Sequence, residues 1–220
     1  MKIKAFTMAE VLITLGMIGI VAAMTLPSLM NYHRNKALET GFKRSYSLLS
    51  QALEMYQAQT GERLIPEHFK VMANGKRLRD FMSEYFNVMY DCGLNNVCFA
   101  SDIYKTFNGK VMFNYTYFDD GQFILNDGSV LFFEQPVATS TRIYLSFDVN
   151  GYLKNPNRVG WDVFVFQVDS RGVLLPMGAP GTDFYSETNE YCSSSSSDWM
   201  NGIGCAYNAL TDKFYFKNLH

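Results

Sequence analysis

Hydrophobic and polar positions fall into three regimes along the chain. From Phe6 to Tyr32 the sequence FTMAEVLITLGMIGIVAAMTLPSLMNY carries one charge, Glu10, and Val11 to Tyr32 gives 22 uncharged residues before His33 and Arg34. At about 1.5 Å of rise per residue, such a helix covers a hydrocarbon core of about 30 Å, so the run predicts a membrane-spanning segment. From residue 33 to 60, Leu38, Phe42, Leu49, Leu53 and Tyr56 recur at helical spacing, with Lys36, Glu39, Lys43 and Gln57 on other faces. One helix is therefore predicted from Phe6 to about Thr60, roughly 80 Å if continuous, with a membrane half at 6–32 and an amphipathic half at 33–60. Pro27 lacks a backbone donor and crowds the turn before it, which predicts a kink or local melting near residues 24–27. Gly16 and Gly19 leave bare surface for another helix to approach, and Thr60-Gly61, with Pro66 beyond, supplies a stop.

The third regime is the remainder, 61–220, which predicts a β-rich head. A short helix is expected at 76–90, where Leu78, Phe81, Met82, Tyr85 and Met89 recur at steps of three and four. From Lys110 the pattern turns to strands. NYTYFDDGQFILNDGSVLFFEQ holds three β-compatible runs parted by Asp119-Asp120-Gly121 and Asn126-Asp127-Gly128, both turn signals, and predicts an antiparallel meander. Residues 142–147 and 162–168 alternate as two more strands, and KFYFK at 213–217 reads as a final edge strand. Between them, 177–205 is irregular and includes the serine run 193–197, whose low complexity predicts mobility above a disulfide base. Trp199 and Tyr207 there read first as anchors of the loop to the head and second as ligand-contacting aromatics. The fold class that follows is α+β, a long N-terminal helix packed on an antiparallel sheet.

Composition narrows the function. A length of 220 residues, 48% hydrophobic, suits one globular domain plus an anchor. With net charge −2 and scattered Lys and Arg, nucleic acid is not indicated. The four cysteines, Cys92, Cys98, Cys192 and Cys205, all lie beyond the anchor, and an even count there suggests disulfides if that side is exported. Three connectivities exist; the expected one is local, Cys92 with Cys98 and Cys192 with Cys205, each closing a small loop and contributing about 2–3 kcal/mol. Neither pair has C-x-x-C spacing, and His33, His68 and His220 lie far from them, so metal bound through sulfur is not expected. A hard cation is another matter. The polar connection at 148–162 gathers Asp148, Asn150, Asn157 and Asp162, which are candidate calcium ligands, although the EF-hand pattern is incomplete and a metal-free turn network competes. No other cofactor is called for. No P-loop, dinucleotide fingerprint, G-x-S-x-G or H-E-x-x-H occurs, and Asp119 with Asp120 read as turn formers, so the chain is not expected to be an enzyme.

Glu10 is the remaining puzzle, because a carboxylate at a membrane edge needs a partner. The five residues MKIKA before Phe6, Glu10 four residues after it, and Gly16, Gly19 and Pro27 in the helix together resemble the amino terminus of type IV pilins and type II secretion pseudopilins, with Ala5 where that family usually has glycine. The resemblance implies a basic leader at 1–5, cleavage between Ala5 and Phe6 by a prepilin peptidase and methylation of Phe6. It further implies assembly through Phe6, Glu10 and Pro27 into a homo-oligomeric or mixed pilin filament, driven by an inner-membrane machinery. The subunit would cross the inner membrane once and then enter a periplasmic or cell-surface filament, with the C-terminal disulfide-bounded region displayed for adhesion. The alternative within the family is a minor pilin or pseudopilin whose head binds a surface, a secreted substrate or DNA. Outside it stand a secretory signal cut after Val21-Ala22-Ala23 and an uncleaved anchor.

Overall fold

A computed structural model describes residues 7–69, 78–93, 98–135 and 142–219. The N-terminal helix α1 spans Met8–Thr60, 53 residues. It starts on Thr7, whose side chain accepts from the Glu10 amide, and ends on Gly61, whose left-handed φ of 78° lets its N–H reach the Gln57 carbonyl. The expected local melting at Pro27 is absent, and α1 is helical through it. Among the described residues α1 is the one helix long and apolar enough to cross a membrane, and none of its most apolar stretch is buried. This is consistent with a single-pass anchor.

Burial divides α1 in two. From Met8 to Met30 the large apolar side chains point away from the rest of the chain, whereas Asn35, Leu38, Phe42, Ser45, Leu49, Ala52 and Tyr56 are buried. The predicted amphipathic stripe is thus largely intramolecular core, with Leu53 packed at its margin. Gly41 marks the closest approach, since a Cβ there would lie 3.0 Å from Cβ of Val149.

The head is a six-stranded antiparallel meander in sequence order. Its strands are β1 (Val88–Gly93), β2 (Gln122–Leu125), β3 (Val130–Glu134), β4 (Ile143–Asp148), β5 (Val163–Val168) and β6 (Leu174–Pro176). One face carries Phe123, Phe133, Leu145, Phe147, Phe164 and Phe166 onto α1, with Phe42 4.6 Å from Phe164 between ring centroids. Its other face carries Ile124, Val130, Phe132, Val163 and Val165 into a second core, closed by Tyr104, Phe113, Phe118, Met177, Met200 and Ile203 from irregular chain. Because both faces are covered, β2 and β5 are buried at every position.

Three local expectations need correction. The helix expected at 76–90 falls partly on residues outside the described set; within that set α2 is Leu78–Met82, followed by a 3₁₀ turn and then β1. Met89 fits the helical spacing but is exposed, and pairing with the β2 edge takes Val88 to Gly93 into the sheet. Tyr115–Tyr117 is a 3₁₀ turn rather than a strand. The KFYFK segment is no edge strand either: Tyr215 and Phe216 are buried, and Phe216 packs 5.8 Å from both Phe42 and Phe164. Burial of two aromatics against α1 outweighs the backbone pairing that an edge strand would gain.

The disulfides are Cys92–Cys98 and Cys192–Cys205, the local pairing. The second fastens the irregular layer to the start of α3 (Cys205–Thr211).

Candidate functional site

The amino-terminal site is a helix end. Glu10 returns its carboxylate to Thr7, accepting from the Thr7 amide at 2.8 Å and the Thr7 hydroxyl at 2.9 Å. Glu10 therefore has a partner within its own chain, and the signal was present in the sequence as Thr-x-x-Glu spacing. Ala5 and Phe6 lie outside the described residues. Pro27 lies in an open groove of about 760 Å³ where α1 leaves the head, facing Phe216 and Lys217 across it. Here Asn35 donates to the Leu219 carbonyl at 2.9 Å and the Arg34 guanidinium lies 5.8 Å from the Trp161 ring centre.

The four candidate cation ligands meet in the connection between β4 and β5. Asp148 Oδ1 accepts from the amides of Asn150 and Gly151 at 3.3 and 2.8 Å, and its Oδ2 accepts from the Tyr104 hydroxyl at 3.0 Å. Asp162 accepts from the amides of Asn157 and Arg158 at 2.8 and 2.7 Å. Both carboxylates are fully buried. Burial pushes the Asp148 carboxyl up to about 7 and the Asp162 carboxyl well above the usual carboxylate range, the latter reinforced by the charge of Asp148. Asn150 and Asn157 donate their amide N–H groups to loop carbonyls, while both Oδ1 atoms are buried with no partner. Two carboxylates and two orphaned amide oxygens are hard oxygen donors of the kind that calcium takes. The turn network and the donor set coexist, because each carboxylate oxygen has a second lone pair.

A second acidic group was not legible from the sequence. Asp119, Asp120 and Glu134 bring carboxylate oxygens within 4.8 Å of one another. Asp119 and Asp120 form no hairpin turn: Asp120 accepts from the Gln135 amide, 15 residues on, at 3.0 Å, and the register of β3 delivers Glu134 beside them. Burial, reinforced by those two charges, pushes the Glu134 carboxyl up to about 9.

The serine run is pinned rather than loose. Asn201, fully buried, accepts from the Ser193 amide at 3.0 Å and donates to the carbonyls of Ser193 and Ser196 at 2.7 and 3.1 Å, and Asn108 adds a bond to the Ser196 carbonyl at 2.7 Å. Side-chain amides thus replace the order that the local sequence lacks. Trp199 does not anchor the loop, since it is 52% exposed, and Tyr207 is half-buried. No family model, curated protein or solved structure matches the chain.

Proposed function

We propose that this protein is a structural, non-enzymatic subunit of a type IV pilus or pseudopilus-like filament, anchored by α1 before assembly and polymerised through it. The observation that carries this reading is the division of α1. Its second half is the spine of the head, while its first half projects a continuous apolar surface that the chain does not cover. Such a surface requires lipid or other helices around it, and packing many copies side by side removes apolar area from water at roughly 25 cal/mol per Å². The amino-terminal sequence motif selects the filament among these uses. In it, a prepilin peptidase cuts between Ala5 and Phe6, and Glu10 exchanges its Thr7 bonds for the amino group of Phe6 on a neighbouring subunit, which rewards only the correct stagger. Calcium, when bound, is held by Asp148, Asn150, Asn157 and Asp162 and neutralises the two buried carboxylates.

Intact mass and amino-terminal sequencing of the native protein test the reading. A chain beginning with N-methyl-Phe6 supports it, and one beginning at Met24 makes the run a secretory signal instead. Copy number separates the two forms of the proposal, because a major subunit dominates sheared filaments and a minor one is scarce. The exposed Trp199 favours a head that also binds something.

A further inference from the structure

The irregular layer presents one indole to water. Trp199 is 52% exposed, yet the backbone around it is fixed: Asp198 Oδ1 accepts from the Met200 amide at 2.6 Å, Met200 is 2% exposed and Asn201 is fully buried. Among the described residues the Trp199 ring takes part in no ring pair, cation contact or hydrogen bond. It forms one wall of an open cleft of about 590 Å³. Every other lining residue is polar: Thr188, Glu190, four serines of the 193–197 run and Asp198. Neither Glu190 nor Asp198 is ion-paired among the described residues.

We propose that this cleft binds a neutral carbohydrate, with a pyranose ring stacked on Trp199 and its hydroxyls bonded to Glu190, Asp198 and the serine hydroxyls. The C–H groups on a pyranose face carry slight positive charge and suit the negative face of an indole. The rim of the same ring is a belt of O–H donors. Carboxylates are acceptors only and receive paired hydroxyls in a bidentate manner, whereas serine hydroxyls give and accept as the sugar requires. A single apolar wall in a polar, shallow cleft offers little to an apolar ligand, which prefers enclosure. Unpaired carboxylates oppose an anionic glycan by like charge. The proposal goes beyond the filament reading and does not depend on assembly.

The test uses the full chain as unassembled subunits in a zwitterionic detergent without sugar headgroups, probed with lactose, maltotriose, cellotriose and a trimer of N-acetylglucosamine. Trp161, the other tryptophan, is buried, so fluorescence changes report chiefly on Trp199. The expected result is a saturable emission shift with at least one neutral saccharide. Measured by isothermal titration calorimetry, which does not depend on the indole signal, Trp199→Ala should weaken that binding by about tenfold or more with an unchanged unfolding midpoint, Glu190→Gln should weaken it less, and sialyllactose should bind more weakly than lactose. Absence of saturable binding by all four sugars overturns the proposal, as does undiminished binding by Trp199→Ala. Tighter binding of tetralysine than of any sugar also overturns it, making the cleft a cation site.

Discussion

Thr7 and Glu10 satisfy each other at the start of α1, which gives the one carboxylate of the apolar run two separable roles. One is to cap the helix, which a glutamine performs equally well; the other is to carry charge, which it does not. Glu10→Gln should therefore leave the subunit folded and membrane-inserted but abolish filament formation, scored by shearing and electron microscopy, as Glu10→Ala should. Filaments from Glu10→Gln but not Glu10→Ala would assign the residue to capping. Glu134 supplies a prediction of a different kind. Its folded-state carboxyl titrates near 9, far above the ordinary value of 4.5. The folded state thus holds a proton that the unfolded chain releases, so stability is full below about pH 4 and falls as pH rises toward 9. Unfolding midpoints measured from pH 5 to 10 should decline in the wild type and decline less in Glu134→Gln, which keeps the amide shape without the titration. Neither residue's partners were equally readable. Thr7 is three positions from Glu10 in sequence, whereas Asp119 and Asp120 reach Glu134 through the pairing of β2 with β3.

Among elements, legibility followed the range of the forces involved. The helix α1 was readable because its apolar spacing and the Gly61 stop are local signals, each acting over a few residues, although the Thr7 cap went unread. The hairpin from β2 to β3 was readable at Asn126-Asp127-Gly128, where Gly128 takes a φ of 84° and the Asp127 carboxylate accepts from the Ser129 amide at 3.1 Å. By contrast, β1 and the 213–217 segment were misread because tertiary contacts decide them: the β2 edge claims Val88 to Gly93, and α1 with β5 claims Phe216. The irregular layer over the second core is held by the disulfides, whose cysteines lie 6 and 13 positions apart. Chain entropy ranks them, since the longer loop restricts the unfolded state more. Replacing Cys192 and Cys205 together by alanine should cost about 3 kcal/mol and replacing Cys92 and Cys98 about 2.4 kcal/mol, read by guanidinium unfolding. A reversed order would show that native packing around each bridge, rather than loop length, sets its contribution.

The whole molecule is a folded head on a helix that continues past it, and the two parts differ in what stabilises them. Side chains from Asn35 onward are shared with the head through Leu38, Phe42 and Leu49, whereas the helix before His33 contributes no buried side chain to either core. Stability of the head should accordingly be indifferent to the first half of α1. A chain beginning at Ser28 keeps Asn35 two turns inside the helix, preserves its bond to the Leu219 carbonyl and removes most of the uncovered apolar surface. It should be soluble without detergent, monomeric in analytical ultracentrifugation and unfold within about 2 °C of the full chain, because the deletion removes no core contact. A large loss of stability would mean that the apolar half supports the head directly. Association of the truncated head would place subunit contacts on the head surface rather than on α1. The same truncation should abolish filament incorporation while leaving saccharide binding at Trp199 intact, since the helix and the cleft draw on different parts of the fold.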